Sequence, residues 1–244
     1  MLAPTLLVGL SLGAFLVVDA RSLADDVATA DAAAQEYDAA LDDYRAALVG
    51  DLADVDAGDP DAVAEVVAGR AQERPSLAGV PARGEDESSR YQAARSEAAD
   101  LATASARLSE VVEQNLGATA FVAAATRALE LDPASLTAGG AVADGSPLRR
   151  DVIPPMRAAL AEFEAVRSPA RAAEARSAVS AALQHVIDEA ERLAAMLDAG
   201  QGGSFTFAEE YTRAQRAVQE LDDGVRADLR EALDGVVVDP TVRS

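Results

Sequence analysis

The chain has 244 residues, half of them apolar, a formal net charge of −21, and no cysteine or tryptophan. That apolar content excludes wholesale disorder. The charge excludes nucleic acid as a natural partner and disfavours lying flat on anionic lipid. The absence of cysteine excludes disulfides, thiol catalysis and cysteine-ligated metals. All 21 basic residues are arginine. Aromatics make up 4% of the chain and much of the apolar content is alanine. Alanine buries little area, and burial yields roughly 25 cal/mol per Å². The predicted core is therefore thin, with closely packed helices. The partners this surface suits are basic protein surfaces, apolar helical seams and nonspecifically held cations.

Residues 2–18 (LAPTLLVGLSLGAFLVV) carry no charge. As a helix this stretch is about 25 Å long, slightly short of a ~30 Å hydrocarbon layer. Three readings compete for residues 1–20: a retained signal anchor, a cleaved signal peptide ending near Val18-Asp19-Ala20, and a buried core helix. A basic n-region is missing. Downstream, Asp19, Asp25, Asp26 and Asp31 outnumber the lone Arg21. Little here would retain that flank in the cytoplasm, so the body is expected outside it, membrane-anchored or secreted. Gly9 and Gly13 form a GxxxG pair, a strip along which a second membrane helix can approach.

Beyond the anchor the apolar positions Leu23, Val27, Ala30, Ala34, Tyr37, Leu41, Tyr44 and Leu48 alternate steps of four and three. This is the seam of a coiled coil or bundle helix. It predicts a helix running without a break from the anchor to near Asp56. From Asp19 to Glu65 there are 14 acidic residues and 2 arginines. Asp59-Pro60 reads as an N-cap followed by proline at the first helical position, starting a short helix over 60–73. Residues 74–89 read as a mobile loop. A long helix is predicted from 89 to 131, seamed by Tyr91, Ala94, Ala98, Leu101, Leu108 and Val112 and kinked at Gly117. A second loop covers 134–154, and Pro155 opens a helix to 166. Ser168-Pro169 repeats the cap-then-proline signature and starts a helix to 199, seamed by Ala172, Arg176, Val179, Leu183, Val186, Ala190, Leu193 and Leu197. Gly200, Gly202 and Gly203 stop it. The last helix covers 206–233 with Phe207, Tyr211, Ala214, Val218, Leu221, Val225 and Leu229 inward. Val236–Val238 reads as a frayed end and 239–244 as a disordered tail. The predicted fold is all-α: an elongated, coiled-coil-rich four-helix-bundle-like domain over 21–238, preceded by an N-terminal hydrophobic helix.

Two groups of residues carry the types that hold metals. Asp54, Asp56 and Glu65 occupy positions one, three and twelve of an EF-hand-like count. Asp59 stands where that loop needs its glycine, and Pro60 follows. The favoured reading is an acidic, capped inter-helix loop. His185, the one histidine, shares a helix face with Asp188 and Glu189. Helical di-metal sites need Glu-x-x-His pairs on two helices, and position 182 is alanine. The favoured reading is a solvated histidine among carboxylates. No nucleophile elbow or phosphate-binding glycine loop is present. Phe205 and Phe207 read as a hydrophobic staple or, alternatively, an exposed latch.

These readings point to a non-enzymatic, cofactor-free protein, envelope-anchored or exported. It would act through a protein partner or self-association along its helical seams, or as a spacer. The alternatives are an extracytoplasmic ligand-binding or ligand-sensing bundle that needs a partner to signal, and a metal-dependent helical enzyme.

Overall fold

The computed structural model describes residues 5–133, 144–204 and 206–237, with side chains from residue 21 onward. The fold is all-α, a helical bundle without strands among the described residues. Its α-helices are α1 (Thr5–Ala53), α2 (Pro60–Arg70), α3 (Ala82–Glu87), α4 (Ser89–Asn115), α5 (Ala118–Leu129), α6 (Ile153–Ala165), α7 (Ala173–Asp198) and α8 (Ala208–Val237). Short 3₁₀ turns cover Ala71–Glu73 and Ala170–Ala172, and a π turn covers Leu148–Val152. The chain divides into two compact units.

The first unit comprises residues 1–54, 66–107 and 233–244. Its principal helix is α1, 49 residues without a break, as its heptad rhythm predicts. Ala30, Ala34, Tyr37, Leu41 and Leu48 of the seam are buried. Tyr91, Ala94 and Leu101 of α4 are buried as well, and Leu41 and Ala94 line one groove between the two helices. Ion pairs flank this seam: Arg45 to Glu97 at 2.9 Å, and Arg90 to Asp38 at 3.3 Å. Arg70 clasps Asp51 with two nitrogens, at 2.6 and 3.0 Å.

The expected loop over 74–89 is partly helical, because α3 lies on α1. Gly84 permits that approach: a Cβ there would overlap the Asp26 carbonyl. The Tyr91 hydroxyl donates to the Ala78 carbonyl at 2.8 Å and holds the preceding strand-free stretch. Ser88 is buried and caps α4, its hydroxyl oxygen accepting from the Tyr91 amide at 3.0 Å while its proton goes to Asp31 at 2.6 Å. One short side chain thus satisfies an orphan amide and joins two helices. Of the end read as frayed, Val236 and Val237 are helical, while Val238 and the tail over 239–244 lie outside the described residues. α8 runs to Val237 and Val236 is buried, its carbonyl accepting from Arg45 at 3.4 Å.

The second unit comprises residues 55–65 and 108–232. The long helix expected over 89–131 is two helices. Gly117 adopts a left-handed φ of 79°, which stops α4 and opens α5. Such a conformation ends a helical hydrogen-bond ladder, and glycine adopts it without a Cβ penalty. Asp59 caps α2 as predicted, accepting from the Asp61 amide at 3.0 Å.

Within the region read as a loop over 134–154, residues 134–143 lie outside the described residues. Helix has already begun at Ser146, whose amide donates to Asp144 at 2.8 Å. The π turn then carries the chain into α6, burying Leu148 and Val152. Gly145 lies against the Ala194 carbonyl of α7 and donates its amide to Asp198 at 3.0 Å.

Ser168 does not cap α7. Pro169 remains extended, a 3₁₀ turn intervenes, and the Ser168 hydroxyl accepts instead from Arg176 at 3.1 Å. Phe121 and Phe163 stand at the centre of the core, rings 5.4 Å apart. Val179, Leu183 and Val186 of α7 are also fully buried. α6 packs along α7, and α5 packs against both. The end of α7 is a Schellman motif at Gly200 (φ 70°), with Gln201 donating to Met196 at 2.9 Å and Gly200 to Leu197 at 3.0 Å.

Candidate functional site

Within the acidic run from Asp54 to Glu65, the carboxylates of Asp56, Asp59 and Asp61 are taken up by structural hydrogen bonds. Asp56 accepts from the Gly58 amide at 2.8 Å and pairs with Arg226 at 3.5 Å. Asp59 divides its carboxylate between its capping bond and the Thr119 hydroxyl at 3.0 Å. Asp61 accepts from the Gly117 amide with both oxygens, at 3.1 and 3.3 Å. That places a negative charge at the start of α5, where unpaired helix amides favour it. Asp54 and Glu65 are exposed. Among the described residues no group of three or more His, Asp or Glu is arranged to hold a metal ion.

His185 is half-buried rather than solvated. Its Nε2–H donates to the Thr206 carbonyl at 3.1 Å, and Glu210 of α8 lies 3.8 Å away. The carboxylates expected beside it have other partners. Asp188 accepts from Gln184 at 2.7 Å, and Glu189 binds Arg192 at 2.6 and 3.0 Å. Arg192 holds the Glu189 carboxyl below its ordinary range, with a lesser contribution from His185. The histidine therefore fastens the connection after α7 to α8. Phe207 supports that junction with its ring 5.4 Å from Tyr211, edge to face. This is the staple reading, although Phe205 lies outside the described residues.

Gly9 and Gly13 fall within the helical run of α1. What surrounds them lies outside the described residues, as do residues 2–4 of the apolar stretch. No helix is long and apolar enough to cross a membrane among the described residues.

Two grooves are products of tertiary packing. Between α7 and α8 a groove of about 560 Å³ has an alanine floor that includes Ala178, Ala182 and Ala217. Arg213 and Arg216 stand on its rim among Glu174, Glu210 and Glu220. Between α5 and α8 a groove of about 360 Å³ has Val122, Leu129 and Val218 as its apolar part. Thr126, Gln215, Gln219, Glu130 and Asp222 supply its polar part, and among the described residues no basic side chain lines it. Above this groove the Tyr211 hydroxyl donates to the Leu131 carbonyl at 3.1 Å, tying the end of α5 to the start of α8. Burial, aided by the nearby Asp132, pushes the Tyr211 phenol up to about 12.

No protein-family model matches the chain, and neither a curated protein nor a solved structure matches it.

Proposed function

We propose that this is a non-enzymatic helical-bundle protein, placed at or beyond a membrane by residues 2–18, that acts by protein–protein contact or as a spacer. The observation that carries this reading is α1, which continues as one helix from Thr5 to Ala53. An apolar stretch fused to a bundle helix without a joint would transmit the position of its membrane end directly to the bundle. Two further observations support the reading. Asp59, Asp61 and His185 are engaged in capping and in fastening helices. The charged surface favours contacts with basic or neutral protein over nucleic acid.

The test is fractionation of cells expressing the full chain, with carbonate washing, external protease and mass spectrometry of the N-terminus. The expected result is a carbonate-resistant membrane protein whose body is digested from outside and whose peptides upstream of Arg21 survive. Recovery in the periplasm or medium with those peptides absent would replace the anchor by a cleaved signal. Recovery in the cytosol would overturn the membrane assignment. Cross-linking in intact membranes tests the contact function, with cross-links expected to a partner or a second copy. Their absence would leave the spacer function alone.

A further inference from the structure

The α7–α8 and α5–α8 grooves differ in charge. Arg213 and Arg216 stand at the α7–α8 groove, whereas the polar lining of the α5–α8 groove is carboxylates, amides and a hydroxyl, without a cation among the described residues. The volume of the latter, about 360 Å³, lies at the small end of the roughly 300–1,000 Å³ range of ligand clefts. Asp222 is engaged with Arg226 at 3.1 Å. Glu130, at the opposite helix, is exposed and makes no side-chain bond among the described residues. The Gln215 and Gln219 amides are likewise uncommitted. Val218 and Leu129 present the apolar part of the groove and retain only 6% exposure each.

We propose that the α5–α8 groove binds a small organic cation with an apolar body, such as an arylalkyl amine. Charge complementarity selects this class. An ammonium reaching Glu130 makes a charge-assisted hydrogen bond, while the amide oxygens of Gln215 and Gln219 accept its remaining protons. The hydrocarbon part is received by Val122, Leu129 and Val218. An anion would face Glu130, Asp222 and the net charge of −21 together. A polyamine would find carboxylates all over the surface and nothing in this groove for an apolar body. The inference goes beyond the contact-or-spacer function and does not depend on how the N-terminus is anchored.

The test is an NMR titration of the isotopically labelled full chain with phenethylamine. Phenethyl alcohol serves as the neutral counterpart and spermidine as the cation without an apolar body. Expected are saturable amide shifts clustered at residues 122–130 and 215–222 with phenethylamine. Binding of the alcohol should be at least tenfold weaker, and the spermidine shifts should be diffuse. Glu130→Arg and, separately, Gln219→Arg each place a cation at an exposed rim position and should each weaken phenethylamine at least tenfold, with helicity retained and melting not lowered. Equal binding of amine and alcohol in the groove would overturn the cation class. Scattered or unsaturable amine shifts, or unaltered binding in both folded variants, would overturn the site.

Discussion

Arg176 occupies a heptad seam position where an apolar residue is the norm. The guanidinium lies 5.5 Å from the Phe121 ring and 5.6 Å from the Phe163 ring. It donates to the Glu164 carbonyl at 3.2 Å and to the Val166 carbonyl, which are orphan acceptors at the end of α6. A planar fork with several donors can face two rings and cap a helix at once. Arg176→Met keeps much of the bulk and loses both functions, so denaturant unfolding should show a loss of about 2–3 kcal/mol. Arg176→Lys should recover only part of it. Tyr211 acts similarly at the other end of the unit. Tyr211→Phe leaves the Leu131 carbonyl without its donor, an expected loss of about 1 kcal/mol. The folded-state phenol is raised to about 12, against roughly 10 unfolded. Its contribution is therefore fully present below about pH 10 and is lost as pH rises from about 10 to about 12. The difference between wild type and the phenylalanine variant should shrink across that window.

At the level of elements, close approaches and helix stops depend on particular glycines. α3 rests on α1 through Gly84, and the nearest atoms a side chain would meet belong to the Asp26 backbone. Backbone cannot move aside as a flexible side chain can. Gly84→Ala should cost about 1–3 kcal/mol and raise amide exchange in α3 while α7 stays protected. At Gly117 the cost has another origin. The space around it is open, but φ is +79°. Gly117→Ala should cost about 1–2 kcal/mol from backbone strain alone. These two glycines also explain where sequence patterning stopped short. The seam from Tyr91 to Val112, read onward past Gly117, suggests one kinked helix, since periodicity does not register a single left-handed residue. The short α3, rich in charge and turn formers, resembles a loop until it is seen to be stabilised by packing on α1.

Across the whole molecule, the imbalance of 42 acidic against 21 basic residues governs the response to solvent. Self-repulsion destabilises a compact chain and is screened over a Debye length of about 10 Å at 0.1 M salt. Raising sodium chloride from about 20 mM to about 500 mM should therefore raise Tm; a fall would mean that the arginine–carboxylate pairs outweigh the repulsion. Acid acts in two directions. Mild acidification relieves repulsion. Asp51, Asp151, Glu189 and Asp198 are each held below their ordinary range by hydrogen bonds from a neighbouring arginine. Their contribution is present above the unfolded carboxylate range near 4 and is lost as pH falls through their lower folded values. Stability measured from pH 7 downward should rise first and decline below about pH 4.

The all-helical class, the unbroken α1, the Asp59 cap and the buried faces of α1, α7 and α8 were all determined by local sequence. They rest on short-range spacing of apolar residues and on single-residue backbone preferences, and both are written along the chain. The partners of the polar residues were decided only in three dimensions. Asp61 meets Gly117, Ser88 meets Asp31, and His185 meets Thr206 across 56, 57 and 21 residues. The α5–α8 groove has the same origin, because Glu130 and Gln219 become neighbours of one space only when their helices pack. Counting ligand types along the chain marked Asp54, Asp56 and Glu65 and passed over that groove. Hydrogen-bond competition among distant groups decides which carboxylates stay uncommitted, and one-dimensional spacing carries no record of it.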